Sequence, residues 1–234
     1  MTQAKENAAL AALDFVEDGM TLGLGSGSTA EIFIEHLGLR VAGGFKVQGV
    51  PTSARTADCA REFGVPLIDA DKVEKIHLTI DGADEVDPTF NLIKGGGACL
   101  LREKIIADAS DRMVVIVDAS KMVDTLGAFP LPIEVDPFAM PLTAEKIYHA
   151  LLSSGCEEGQ TVLRQKKDGS GPLVTDGGHY ILDSKCRKIP NPVDTARALA
   201  SIPGVMEHGL FIDTASVIVI GEDDHAKVME LSRE

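Results

Sequence analysis

Tryptophan is absent from this 234-residue chain, and aromatic residues make up only 4% of it. A core drawn from the 44% hydrophobic residues must therefore rest on Val, Ile, Leu and Ala, and the 23 glycines supply tight turns. That mix suits an α/β fold. Basic residues are also scarce: 22 Lys and Arg face 36 Asp and Glu, a formal charge of −14. Such a chain repels nucleic acid and anionic membrane surfaces, so neither is an expected partner. An anionic ligand would need local donors. The four cysteines form no C-x-x-C pair, which points to reduced thiols and a cytoplasmic protein. Residues 1–17 lack a basic-then-apolar leader pattern, and no apolar run approaches the ~18 residues of a membrane span. The six histidines contain no H-E-x-x-H, and there is neither a G-x-S-x-G elbow nor a P-loop G-K-[ST] ending.

What is present is an alternation of short apolar runs and amphipathic stretches. Residues 2–17 read as a helix, with Ala9, Ala12, Leu13 and Val16 on one face. Strands follow at 20–24, 46–50, 76–80 and 113–117, each leading toward a helix or turn. The second helix starts near Ser28 and stops before Gly38; others cover the stretch from about 53 to Gly64 and 98–109. Alternation of this kind argues for a Rossmann-like, doubly wound, mostly parallel sheet. The middle of the chain changes character. Four prolines lie between Phe129 and Pro141, and short strands at 161–166, 173–175 and 180–183 are separated by Gly-rich turns. A helix at 192–202 and a strand at 205–212 complete a small α+β unit. The expected organisation is a large domain of residues 1–127 plus 206–234, with a small domain inserted at 128–205. A strand at 216–220 and a last helix at 225–231 close the chain.

Four unusual polar segments each directly follow an expected strand: Gly25–Thr29, Pro51–Ser53, Asp81–Asp84 and Asp118–Lys121. In open parallel sheets, ligands bind outside the carboxyl ends of the strands, so all four belong to one edge. Gly25-Ser26-Gly27-Ser28-Thr29 can cradle a phosphate with backbone N–H groups and hydroxyls at a helix N-terminus. The same residues also fit a plain strand-to-helix turn, because Ser28-x-x-Glu31 has the spacing of a capping box. Asp81-Gly82-Ala83-Asp84-Glu85-Val86-Asp87 reads as proton-handling acids, as a solvated turn, or as a Mg²⁺ ligand set; it lacks the order of a Ca²⁺ loop. Lys94-Gly95-Gly96-Gly97 brings a cation to a backbone whose successive glycines cost conformational entropy, which a close ligand would justify. Glu103 lies on the following helix. Burial would raise its pKa, the helix N-terminus would lower it, and the sequence leaves the balance open.

These segments together resemble ribose-5-phosphate isomerase of the A type. The resemblance is carried by Gly25-Ser26-Gly27-Ser28-Thr29-Ala30, Asp81-Gly82-Ala83-Asp84-Glu85, Leu92-Ile93-Lys94-Gly95-Gly96-Gly97-Ala98 and Arg102-Glu103-Lys104. Asp118-Ala119-Ser120-Lys121, Phe129-Pro130-Leu131-Pro132, Ile202-Pro203-Gly204-Val205 and Gly209-Leu210-Phe211 extend it over nearly the whole chain. Ser26 stands where the family often has Thr. The resemblance implies interconversion of ribose 5-phosphate and ribulose 5-phosphate in the pentose phosphate pathway, with no cofactor and no metal, by a homodimer or homotetramer. It implies Glu103 as general base, with Asp81, Asp84 and Lys94 as catalytic companions. Ser26, Gly27, Ser28, Thr29, Gly82, Ala83, Gly95, Gly96, Gly97 and Lys121 are implied to hold the substrate. Two other readings stay open: a sugar-phosphate sensor of similar fold, and an amino-sugar-phosphate deaminase, which would recruit a histidine such as His77.

Overall fold

The structure, a computed structural model, describes residues 2–231. Its strands are β1 Thr21–Leu24, β2 Gln48–Pro51, β3 Leu78–Asp81, β4 Glu85–Val86, β5 Leu92–Ile93, β6 Met113–Asp118, β7 Leu131–Val135, β8 Gln160–Leu163, β9 Tyr180–Lys185, β10 Val205–His208, β11 Leu210–Phe211, β12 Val217–Gly221 and β13 Ala226–Glu230. Its α-helices are α1 Thr2–Ala12, α2 Ser28–Ala42, α3 Ala54–Glu62, α4 Leu100–Asp108, α5 Met140–Ser153 and α6 Pro192–Ala200. Two compact units result. The first takes the chain up to Ala83, Arg102–Met122 and Asp213 onward; the second takes Asp84–Leu101 and Val123–Ile212.

The first unit is a six-stranded sheet in the order β13-β12-β6-β3-β1-β2, parallel except at β13. Side chains alternate between the faces of a strand. Leu22, Leu24, Leu78, Ile80, Val114, Ile116, Val217 and Val219 all point to one face, where they pack with Ala8 and Ala12 of α1 and Phe33, Ile34 and Leu37 of α2. Each large side chain buried there is worth roughly 1.5–3 kcal/mol. Ala9, Ala12, Leu13 and Val16 are all buried as expected, but the α-helix is shorter than the expected 2–17: it ends at Ala12, Leu13–Phe15 form a 3₁₀ turn and Val16 is extended. Gly23 and Thr79 face the other side. A β-carbon on Gly23 would lie 2.6 Å from Ile106 Cγ2, so α4 packs directly on this face.

Two expectations about this unit need correction. Gly38 does not end the second helix, which runs on to Ala42. A β-carbon on Gly38 would meet the Phe63 carbonyl at 2.3 Å, so this glycine permits a close crossing by the chain at the end of α3. The stretch expected to be a last helix is β13, which completes an antiparallel hairpin with β12. Pairing with the open edge of β12 outweighs local helix propensity.

The second unit has an antiparallel sheet in the order β10-β7-β9-β8 and a small sheet in the order β11-β5-β4. Ile147 and Leu151 of α5 and Leu199 of α6 cover Leu131, Ile133, Val135 and Leu182. This is the expected α+β unit, but it is not one inserted piece. Residues 84–101 join it because β5 pairs with both β4 and β11. The single strand expected at 205–212 is two strands broken at Gly209, where a β-carbon would lie 2.3 Å from the Lys94 carbonyl oxygen.

Candidate active site

In the first unit the sheet order reverses between β1 and β3, with β2 outside the one and β6 outside the other. Such a reversal opens a crevice at the carboxyl ends of the strands. Gly25, Thr52, Gly82 and Ala119 each immediately follow one of the parallel strands β1, β2, β3 and β6. The shared edge inferred for the four polar segments therefore holds for all the parts that lie in this unit.

At the reversal, Gly25 N–H donates to Ile80 O at 2.9 Å. Asp81, 0% exposed, accepts at Oδ1 from Ser26 N–H at 3.1 Å and Gly82 N–H at 2.7 Å. The Ser26 hydroxyl turns into a hydroxyl cluster, 2.9–3.0 Å from those of Thr52, Ser53 and Thr56. Thr52 and Thr56 donate on to the carbonyls of Leu24 and Gly25 at 2.9 and 3.0 Å. The Thr52–Ser53 segment thus holds the glycine loop from behind.

Gly27, at φ 109°, precedes the first turn of α2. The capping box does not form. Ser28 is already helical, and Glu31 pairs with Arg55. The Ser28 hydroxyl instead accepts from Lys5 Nζ at 2.8 Å. A helix N-terminus without a side-chain cap, flanked by Ser28, Thr29 and a lysine, has the donors that a phosphate requires. Lys5 was missed in the sequence. Its one signal there is that it is the sole basic residue in α1. Lys121 closes a short 3₁₀ turn after β6, which Asp118 caps by accepting from Ser120 N–H at 3.0 Å.

Glu103 is 4% exposed, so it is no surface glutamate, although its neighbour Arg102 is exposed. It lies one turn before Ile106, on the side of α4 that meets the sheet. Asp81 follows Thr79 by two residues and so projects to that same sheet face. The unit therefore gathers two buried carboxylates on the α4 face of its sheet, one of them at the topological reversal.

The second unit arranges the other candidates around its small sheet. Asp84 N–H donates to Ile93 O, and Lys94 N–H to Gly209 O, both at 2.8 Å. Lys94 is 3% exposed, and its Nζ lies 5.4 Å from the centre of the Phe211 ring, a cation–π geometry. Gly96 N–H donates to Asp84 Oδ2 at 2.8 Å. The three glycines differ in kind. Gly95 has φ 106° and faces Leu100, Gly96 leaves room for Asp84, and Gly97 has open space beside it. The division between the units falls at Ala83–Asp84 and again after Leu101, inside the segment from Asp81 to Glu103.

The acidic run is not built as a cation cage. Glu85 accepts from the N–H groups of Gly127 and Phe129, and Asp87 from those of Thr89 and Asn91. Each carboxylate is tied to its own backbone donors. His77 gives no support to the deaminase reading. Its Nδ1 accepts from Thr21 N–H at 3.0 Å, at the starting end of β1 and β3, opposite the polar edge.

The model of the ribose 5-phosphate isomerase A (phosphoriboisomerase A) family matches residues 48–225. Ribose-5-phosphate isomerase A of Maricaulis maris is 63% identical over 227 residues, covering 97% of each chain. That of Bradyrhizobium diazoefficiens is 53% identical, covering 98% of this chain and 96% of its own. Among solved structures, a D-ribose-5-phosphate isomerase in complex with phospho-erythronic acid superposes with a TM-score of 0.91 at 39% identity, covering 98% of this chain and 99% of that one. Ribose 5-phosphate isomerase from Plasmodium falciparum gives a TM-score of 0.91 at 32% identity over the full length of both chains.

Proposed function

The chain belongs to the ribose 5-phosphate isomerase A family, and from that premise we propose that it interconverts D-ribose 5-phosphate and D-ribulose 5-phosphate through an enediolate, with Glu103 as the base. The observation that carries the residue assignment is a carboxylate buried on the helix that covers the sheet face to which Asp81 projects. A phosphorylated sugar acid is the ligand of a relative similar to this chain over nearly its whole length.

The reaction moves two protons, one from C2 to C1 and one from O2 to O1. From the open-chain aldose, the Glu103 carboxylate takes the C2 proton. The C–H electron pair becomes the C1=C2 bond, and negative charge develops on O1. The proton of the O2 hydroxyl passes to O1, and Glu103 returns its proton to C1, leaving a carbonyl at C2. Base assistance of this type is worth ~10²–10⁴-fold. Lys94, held over Phe211, supplies the positive charge for the developing oxyanion, a term whose loss costs roughly 3–4 kcal/mol. Asp81 and Asp84 carry protons among the sugar hydroxyls during ring opening. Lys5, Ser28, Thr29, the N-terminus of α2 and Lys121 hold the phosphate, whose binding energy orients the reacting end. Ser26 serves through its backbone, because its hydroxyl belongs to the scaffold.

The test is incubation with ribose 5-phosphate in D₂O, followed by NMR of the product. Ketose with deuterium at C1 is expected from the native enzyme, and a loss of turnover with retained binding from Glu103→Gln. Binding without turnover by the native protein would instead identify a sensor.

A further inference from the structure

We infer that Arg164 is a positioning residue for this reaction: it sets the peptide planes of the Gly95–Gly97 segment and, through them, the Asp84 carboxylate. The inference rests on the proposal that Asp84 and this segment serve the substrate. Arg164 follows β8, and its backbone is fixed on both sides, with N–H donating to Ile181 O and the carbonyl accepting from Leu173 N–H, each at 2.9 Å. Its guanidinium makes a two-pronged pair with Asp183 of β9, Nε to Oδ2 at 2.8 Å and Nη2 to Oδ1. Its Nη1 donates to two successive carbonyls, Gly95 O at 2.8 Å and Gly96 O at 3.1 Å.

The consequence follows from peptide geometry. In a trans peptide the C=O and the following N–H point in opposite directions. Turning the Gly95 carbonyl to Arg164 turns the Gly96 N–H away from it, and there Asp84 Oδ2 accepts at 2.8 Å. Turning the Gly96 carbonyl to Arg164 likewise turns the Gly97 N–H away from the guanidinium. Glycines resist peptide rotation least of all residues, so a run of three does not hold these planes by itself. The guanidinium provides the restraint that the backbone lacks. Arg164 needs its fork for this: Asp183 fixes one edge, and the remaining donors reach the two carbonyls. A lysine ammonium could carry the charge without that fixed geometry.

The experiment measures kcat and KM for ribose 5-phosphate in Arg164→Ala, Arg164→Lys and Asp183→Asn, alone and combined with Asp84→Asn, with folding checked by thermal unfolding. Arg164→Ala is expected to lower kcat by about 10²-fold, the scale of a 1 Å misplacement, with a smaller change in KM. Millimolar guanidinium should restore part of that loss, and Arg164→Lys should not. In the Asp84→Asn background the Arg164→Ala effect should shrink, because both act through one hydrogen-bonded path. Where Arg164→Ala does not fold, Asp183→Asn carries the test, since it keeps Arg164 and loosens only its fork. Native kcat in the folded variants, or an equal loss in both backgrounds without rescue, would overturn the inference. Full turnover in Asp84→Asn and Glu103→Gln would instead remove the underlying site assignment.

Discussion

Asp81 fills the space that a side chain on Gly25 would need: a β-carbon there would lie 2.2 Å from Asp81 Cγ. The carboxylate and the bare glycine backbone are one arrangement, with Asp81 Oδ1 also accepting from Ser26 N–H. Gly25→Ala must therefore displace a proposed catalytic acid. We expect a loss of about 10²-fold in kcat, together with a destabilisation of roughly 1–3 kcal/mol from overpacking. Gly82→Ala is the control. Its nearest neighbour would be the Ile116 carbonyl at 3.7 Å, so stability should change little. Steady-state kinetics and urea unfolding of the two variants check this contrast.

Glu103→Gln keeps the shape of the side chain and removes the base. The expected result is a drop of ~10²–10⁴ in kcat with KM nearly unchanged, the pattern of an interaction made in the transition state. Glu103→Asp keeps the carboxylate but draws it back by one methylene, and should fall between. Single-turnover measurement of C2-deuterated substrate checks that proton removal is the step affected.

Lys5 acts at the other end of the substrate. Its ammonium bonds Ser28 Oγ at 2.8 Å, at the start of α2. A hydrogen bond to a charged group is worth about 1.5–3 kcal/mol. Lys5→Met should therefore raise KM for ribose 5-phosphate by roughly 10–100-fold and leave kcat at saturation close to native. The defect should be largest at low salt, where the charge is least screened.

Legibility from the sequence follows the range of the interactions. The parallel sheet and its polar edge were readable because alternation and strand-end position are local properties, and Gly25–Thr29, Asp81 and Lys121 fell where the pattern placed them. Features decided by contacts distant in sequence were not. Glu31 was read as a capping partner of Ser28, but Arg55 claims it. Lys5 and Ser28 are 23 residues apart, and nothing local marks their bond. The small sheet joins Leu92–Ile93 to Leu210–Phe211, which is why residues 84–101 could not be assigned to the second unit by inspection. The burial of Glu103, left open by the sequence, depends on how α4 lies on Gly23.

Gly38 tests the same point. By helix propensity alone, Gly38→Ala in the interior of α2 should stabilise by about 0.8–1.0 kcal/mol. The packing says otherwise, because the new methyl would stand 2.3 Å from the Phe63 carbonyl and 2.9 Å from Phe63 Cβ. A backbone atom cannot move aside cheaply, so we expect a net loss of roughly 1–3 kcal/mol. Gly43→Ala, at the C-cap of the same helix, would meet the Arg40 carbonyl at 3.2 Å, a milder contact, so its loss should be smaller. Thermal unfolding of both variants decides between local propensity and tertiary contact.

The turn between β12 and β13 gives a pH-dependent prediction. His225 Nδ1 lies 2.6 Å from Asp224 Oδ1, and Glu222 Oε2 lies 3.8 Å from its Nε2. The hydrogen bond to Asp224 and the charge of that carboxylate raise the His225 pKa above its usual 6.5. The same hydrogen bond, viewed from the other side, lowers Asp224 below 3.8. The signs are opposite. The contribution of His225 is complete below 6.5 and is lost as pH rises through the raised value; that of Asp224 is complete above 3.8 and is lost as pH falls through the lowered one. The pair is therefore fully formed between 3.8 and 6.5 and weakens as pH rises through the raised His225 value. Both groups are exposed, so the effect on global stability should be small and should fade with salt. NMR titration of the His225 ring should show the raised pKa, and Asp224→Asn should return it toward 6.5, leaving only the smaller attraction of Glu222.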